Sequence, residues 1–281
     1  MSEKSKKICA LTMVRNDEFF LHRWIAYYSR QLGAENLYVF LDGLEQVLPE
    51  SYPGVHIEAV KHIEGNVHAA DKGRIDFLSQ RAAQLLQTYD MVIGTDVDEF
   101  LVVEPKLGLS LVDFLSQADV RISLSAMGID VGQHLEKEKP IDSSQPFLRQ
   151  RRYALLSDRY SKASVIASPV SWGSGFHRVR HHGYHIAEGL YLFHFGCVDY
   201  EMLKARFSDE SRIKSGWSHH LLRRMRTITI ISQTEPREWE KAVEKARRWQ
   251  NCFHQPYAWN KPTMLRKKIV VELPERFKDV V

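Results

Sequence analysis

Tyr89-Asp90-Met91-Val92-Ile93-Gly94-Thr95-Asp96-Val97-Asp98-Glu99-Phe100-Leu101 is the stretch on which the reading of this chain turns. A short apolar run leads directly into two aspartates one residue apart, with a third acid beside them. Read as a buried strand, Met91 to Gly94 crosses a sheet and releases Asp96 and Asp98 at its carboxyl end, the edge where open α/β sheets bind ligands. If the segment stays extended, alternation points Asp96 and Asp98 the same way and turns Val97 to the core. Two hard oxygen donors on one side suit Mg²⁺ or Mn²⁺, which keep open positions for a diphosphate. A polar strand end or turn is the plainer alternative, because aspartate is common there. Three acids inside an apolar segment repel one another unless a cation compensates, which favours the metal reading.

The chain has 281 residues, enough for one large domain or a domain with an appended subdomain. Its 44% hydrophobic content supplies a full core, and 26% charge is ordinary. No run approaches the ~20 apolar residues needed to span a bilayer. Ile8-Cys9-Ala10-Leu11 is too short for a signal-peptide core, which leads to the expectation of a cytoplasmic protein. Cys9, Cys197 and Cys252 are widely separated, so they imply neither a disulfide framework nor a zinc framework. Net charge is only +4, yet arginines and lysines cluster at Arg149, Arg151 and Arg152, at Arg223, Arg224 and Arg226, and at Arg266, Lys267 and Lys268. Such clusters attract nucleic acid, anionic lipid or a sugar nucleotide, although a solvated surface is the default for each.

Strand and helix signals alternate through the first half. Ile8 to Val14 reads as a strand, after which Asn16 or Asp17 can cap a helix bearing Phe20, Trp24, Tyr28 and Leu32 at every fourth position. Gly33 stops that helix. Leu37 to Leu41 reads as a second strand turning at Asp42-Gly43, and His56 to Val60 as a weaker third. From Lys72, Ile75, Leu78, Ala82, Leu85 and Leu86 mark another helix. This interleaving predicts a mainly parallel sheet with helices on both faces. Beyond Phe100 the pattern gives a short helix capped by Ser110, a strand from Val120 to Ala126, a polar loop region over 128–150, and strands at Ala163 to Ala167 and Leu190 to Phe195. Past Asp199 the signals are helical: Glu201 to Phe207, Trp217 to Arg226, and a helix opened by Thr234-Glu235-Pro236 with a stripe of Trp239, Val243, Ala246, Trp249 and Phe253. The expected organisation is an α/β catalytic domain over 1–200 with a helical C-terminal extension over 201–281.

With these elements placed, the chain resembles the family 2 and family 92-like glycosyltransferases, whose domain has the Rossmann-like GT-A fold. The likeness covers about the first two-thirds of the chain, the extent of one domain. Thr12-Met13-Val14-Arg15-Asn16-Asp17-Glu18, with His22-Arg23-Trp24-Ile25-Ala26-Tyr27-Tyr28 and Leu32-Gly33-Ala34, is similar to the family's opening strand and helix, although Arg23 stands where an acid usually precedes the tryptophan. Val39-Phe40-Leu41-Asp42-Gly43 is similar to its second strand, without the serine and aspartate that often follow. Asp96-Val97-Asp98-Glu99-Phe100-Leu101 resembles its metal-binding D-x-D with trailing Glu-Phe and is the most specific of the three.

The resemblance implies a transferase that uses a nucleotide-diphosphate sugar, a UDP- or GDP-sugar, with Mn²⁺ or Mg²⁺. It places Thr12, Arg15 and Asn16 along the nucleotide, gives Asp42 the base or ribose, and sets Asp71-Lys72-Gly73-Arg74 near the donor. By the same likeness Asp96 reaches the ribose or a metal-bound water, Asp98 the metal, and His194, in Tyr191-Leu192-Phe193-His194-Phe195-Gly196, supplies a late ligand; a histidine bonded to backbone is its equal alternative. Lys162 and His177 resemble positions near the diphosphate or acceptor, against a surface lysine and a turn histidine. Independently of the family, glycosyl transfer leaves negative charge on a diphosphate, which a divalent ion stabilises. It also needs a base for the acceptor hydroxyl, and Asp130 is the first choice, ahead of Glu188 and Asp158.

Weaker signals remain. His177, His181, His182, His185 and His194 crowd together without a repeated zinc spacing. Trp172 among glycines reads either as a loop aromatic for stacking a sugar or as core. Haloacid dehalogenase-like phosphatases also carry Asp-x-Asp after an apolar strand, but near the N-terminus and followed by small residues; an aspartyl-phosphate would distinguish them. A basic binding protein for anionic polymer is the non-catalytic alternative, although no nucleic-acid module is recognisable. The expectation is therefore an inverting, metal-dependent glycosyltransferase of surface polysaccharide assembly, with a glycan or lipid-linked acceptor. Contact with the inner membrane face through the basic clusters is part of that expectation, and salt-dependent liposome binding tests it.

Overall fold

A computed structural model describes residues 5–47, 52–207, 218–252 and 256–281. The two ends of the expected helical stripes at Trp217 and Phe253 lie outside the described residues. Strand β1 (Ile8–Val14), helix α1 (Glu18–Leu32), β2 (Leu37–Asp42), β3 (His56–Val60), α2 (Val67–Leu85) and β4 (Met91–Gly94) form the alternating first half. Then come β5 (Glu99–Val103), α3 (Leu111–Gln117), β6 (Ser123–Gly132), α4 (Phe147–Gln150), β7 (Tyr153–Leu156), β8 (Val165–Ile166) and β9 (Ile186–Cys197). The chain ends with α5 (Tyr200–Phe207), α6 (Ser218–Gln233), α7 (Trp239–Cys252) and β10 (Val270–Glu272).

The sheet runs β10-β7-β6-β8-β4-β1-β2-β3, and β9 joins β6 and β5 beside that path. Strands β4, β1, β2 and β3 are mutually parallel, because each is joined to the next by a crossover long enough to return the chain to the same end. Past β4 the sheet becomes mixed: β8 is antiparallel to both β4 and β6, β7 to β6 and β10, and β5 to β9. The expectation of a mainly parallel sheet therefore holds for the N-terminal unit and gives way beyond it.

Period-two alternation along β1 shows why helices cover both faces. Ile8, Ala10 and Val14 pack with Trp24, Ile25 and Tyr28 of α1, whereas Cys9, Leu11 and Met13 pack with Ile75, Leu78 and Ala82 of α2. Asp17 stands at the N-cap of α1 as expected, but its carboxylate accepts from Arg206 rather than capping the helix. Gly33 ends that helix at φ 89°, a conformation open to glycine. Helix α2 begins five residues before the expected Lys72, where the Asn66 side chain accepts from Ala69 N. Ser110 caps α3 in a full capping box.

Four differences from the sequence reading shape the site. β6 starts at Ser123 and continues through Gly128 to Gly132, so Asp130 lies in a strand and not in a loop. Gly128 is there because the 157–161 loop crosses directly over it: a Cβ would stand 2.3 Å from Ser157 O and 2.4 Å from Ser161 N. β9 is twelve residues long rather than the six expected, and Asp130 pairs with His194 across the parallel β6–β9 ladder. The C-terminal segment, expected to be wholly helical, also supplies β10 as an edge strand on β7. Residues 96–98 form a turn closed by Glu99 N donating to Asp96 O at 3.0 Å, not the extended segment that the alternation argument assumed.

Helix α1 holds this turn from below. Trp24 Nε1 donates to Thr95 Oγ1 at 2.9 Å, Tyr27 OH to Leu101 O at 2.7 Å, and Leu101 N to Tyr28 OH at 3.0 Å. From the other side Phe195 N donates to Asp98 O at 2.9 Å. Both flanks of the acidic turn are thus tied by buried hydrogen bonds, each costly to leave unmade. Gly128→Ala is expected to lower stability by about 1–3 kcal/mol, because the methyl must displace backbone and not a flexible side chain; urea unfolding checks this, and an unchanged midpoint would show that the 157–161 loop does not rest on β6.

Candidate functional site

The ends of β1, β2 and β4 place their following residues along one sheet edge. On β1 and β2, Arg15 donates to Asp42 O and pairs with Glu45 at 2.7 Å. The Asp42 carboxylate is held by His62 Nδ1 at 3.0 Å and by Ile63 N at 2.9 Å. Asn16 takes a left-handed φ of 50° with its N–H on Gln46. Thr12, one turn of the pleat earlier, is wholly buried, and its Oγ1 has no hydrogen-bond partner.

At the end of β4, Asp96, Asp98 and Glu99 bring ligand atoms within 4.8 Å of one another, and among the described residues no other such group of three or more occurs. The crowded histidines therefore assemble no zinc set of their own among those residues. The acids are balanced by cations drawn from distant elements. Arg74 of α2 donates to Asp96 Oδ1 at 2.6 Å and to Asp71 at 2.9 Å. Lys162 stands 3.0 Å from Asp96 Oδ2 and 2.5 Å from Glu99 Oε1. On α6, Arg224 reaches Asp98 Oδ2 at 2.9 Å. His194 places Nε2 3.3 Å from the same oxygen and Nδ1 2.7 Å from Asp130 Oδ1.

Glycine makes one of these approaches possible. A Cβ on Gly196 would stand 2.6 Å from both Arg224 Cζ and His194 Nε2, so a side chain there would push Arg224 off Asp98. Tyr160 covers the His194 ring, with centroids 3.7 Å apart, and Thr227 Oγ1 lies 3.3 Å from Asp130 Oδ2. Arg224 and Thr227, three apart on one face of α6, thus close the site from above.

Burial sets the proton balance. Burial alone would keep Asp98 neutral, but His194 and Arg224 outweigh it and hold the carboxyl far below the usual range. Lys162 and Arg74 do the same for Asp96. Glu99, wholly buried, is pushed up to about 7 by desolvation despite Lys162 beside it. Burial would depress the His194 ring, yet Asp98 and Asp130 raise it to about 9. His177 is pushed down to about 3 by burial and then by the Lys162 charge, so its imidazole is neutral.

Of the residues singled out from sequence, Asp96, Asp98, His194, Asp130, Arg74 and Lys162 form one connected network. Thr12, Arg15, Asn16 and Asp42 lie on the same sheet edge, while Glu188 pairs with Arg247 in an exposed position and Asp158 accepts from Leu265 N. Lys162 is buried, not a surface lysine. Trp172 is core: its indole donates to Ala163 O and packs on Phe176 against Gly94, which leaves no face for a sugar. Arg224 was visible only as part of a basic cluster. Arg151, in the first such cluster, is buried on Asp199, and Arg149 and Arg152 pair with Asp279 and Glu275. That cluster stitches the C-terminal segment down and is not a free anionic docking patch.

No protein-family model matches this chain, and no curated protein matches it. No helix among the described residues is long and apolar enough to cross a membrane. The His194 shift carries a pH signature: its stabilisation is complete below about 6.5 and is lost as pH rises through about 9. The Glu99 contribution falls from the ordinary carboxylate range up to about 7 and then levels, so the decline from 7 to 9 belongs to His194. Chemical denaturation across that window should lose roughly 3 kcal/mol at most, and His194→Gln should flatten the slope; a flat wild-type profile would contradict the network.

Proposed function

We propose that this chain is a metal-dependent glycosyltransferase that moves a sugar from a nucleotide-diphosphate donor to a glycan or lipid-linked acceptor, with inversion. One observation carries the reading: three carboxylates converge in a hydrogen-bonded turn at the carboxyl end of β4, the outermost strand of the parallel set, on the edge where such sheets bind nucleotides. The GT-A resemblance adds the class. The mixed α/β architecture is compatible with it.

The donor set fits a hard divalent cation. All three groups offer oxygen, Glu99 Oε1 is wholly buried with the Lys162 ammonium 2.5 Å away, and both side-chain contacts to the Asp98 carboxylate fall on Oδ2. Asp96, Asp98 and Glu99 would hold Mn²⁺ or Mg²⁺, with His194 beside them, and the ion would neutralise charge on the departing diphosphate. The Nδ1 bond from His194 to Asp130 fixes the ring so that its Nε2 faces Asp98.

The protein's own groups then divide the remaining work. Asn16, Arg15 and Asp42, at the ends of β1 and β2, border the nucleoside. Arg74 and Lys162 bring positive charge to the side of Asp96. Asp130 is 4% exposed and bonded to His194, so it serves better to orient that ring than to meet an acceptor hydroxyl directly. The pairing of the arginines over 149–152 within the chain removes one support from the reading as a basic polymer-binding protein.

A thermal-shift panel of UDP- and GDP-sugars with and without Mn²⁺ tests the proposal, because a ligand that binds only the native state raises the melting temperature by mass action. Stabilisation that requires both nucleotide and Mn²⁺ is expected, and Asp98→Ala should abolish it while the ion-free protein stays folded. Equal Mn²⁺ dependence in Asp98→Ala would remove that residue from the site.

A further inference from the structure

Lys162 has a position unlike that of the other cations in the site. Its side chain is 3% exposed, and both of its charge partners, Asp96 and Glu99, belong to the group that a divalent ion would occupy. Arg74 also meets Asp96, but its second nitrogen is anchored on Asp71 of its own helix. Arg224 and His194 engage Asp98 and not Asp96 or Glu99.

The lysine is also held firmly at its base. Ala126 N donates to Lys162 O at 3.1 Å, and Gly94 N to Ser164 O at 2.8 Å, which joins this segment to β6 and to β4. The ammonium lies 5.7 Å from the Tyr160 ring centroid and 6.0 Å from that of Phe176. A fixed backbone with a four-carbon stem lets the charged head turn without moving the loop.

An ammonium and a divalent ion on the same two carboxylates repel strongly in a buried site, where screening is weak. Removing the ammonium from both acids without a new partner would strand a buried charge. A diphosphate bound at the ion supplies that partner. We propose that Lys162 is an internal counter-ion that couples cation binding to diphosphate binding: without nucleotide it neutralises Asp96 and Glu99, and with nucleotide it turns to phosphate oxygens while the metal takes the carboxylates. This rests on the metal-dependent transferase reading of the site. Its consequence is that the empty enzyme discriminates against free divalent ions and fills its metal site together with the donor.

The test counts free Mn²⁺ by the electron paramagnetic resonance signal of the aquo ion, titrated against the whole chain with and without UDP. Wild type should bind Mn²⁺ weakly alone and much more tightly with UDP. Lys162→Met should bind Mn²⁺ alone at least tenfold more tightly than wild type, and the enhancement by UDP should shrink, since the coupling is reciprocal. Lys162→Gln, whose amide still donates toward Glu99, gives the same reading if the methionine variant fails to fold. Mn²⁺ affinity unchanged or weakened in the variants overturns the counter-ion role while leaving the metal site standing. If wild type takes up no Mn²⁺ with UDP or GDP, the transferase reading falls, and this inference falls with it.

Discussion

The constraint behind this structure is the neutralisation of buried negative charge at one turn. Asp96, Asp98 and Glu99 follow an apolar strand so closely that they sit at the rim of the core, where ions lose much of their hydration. Each is matched by a cation from elsewhere in the chain: Arg74 from α2, Lys162 from the segment before β8, His194 from β9 and Arg224 from α6. Such pairs are weak evidence of added stability, since desolvation offsets much of the Coulomb gain. Their arrangement converges on one turn of the sheet edge. Under the proposed function, the charge-balanced cluster would exchange an internal cation for an external one.

The scaffold explains how the balance is kept in place. The aromatic face of α1 fixes Thr95 and Leu101 on either side of the turn, and β9 fixes the backbone of Asp98. Glycines are used where elements must touch: Gly94 against Trp172 and Phe176, Gly128 under the 157–161 loop, and Gly196 beneath Arg224. A side chain at Gly196 would meet the Arg224 guanidinium and the His194 ring, whereas one at Gly94 or Gly128 would strike aromatic rings or the loop backbone. Under the proposed function, this scaffold would keep the turn backbone in place while Lys162 changes partners.

Much of the N-terminal half was legible in the sequence because its signals are local. The apolar run of β4, the four-residue spacing of aromatics on α1 and the turn at Asp42-Gly43 each declare themselves within a few residues. The remainder depended on partners far along the chain. Lys162 was singled out only through the family resemblance, and its burial between Asp96 and Glu99 shows only once the 157–161 loop is seen to lie over Gly128. Gly128 itself read as a breaker, which cut β6 short and left Asp130 in a loop. Arg224 lies 126 residues from Asp98, and nothing around it on α6 marks it as a site residue. The short strands β7 and β10 carry too few residues for a period to emerge; β10 is an edge strand that forms on β7, and β7 is itself held between β10 and β6.

The account rests on a divalent ion sharing the carboxylates of the β4 turn with a diphosphate. Anomalous diffraction at the manganese edge, from crystals grown with Mn²⁺ and UDP, measures this most directly. A single peak within bonding distance of Asp98 and the pyrophosphate oxygens, with Lys162 withdrawn from Glu99, is the predicted result. Nucleotide bound elsewhere, or bound at this edge with no manganese while Lys162 still bridges Asp96 and Glu99, would contradict it.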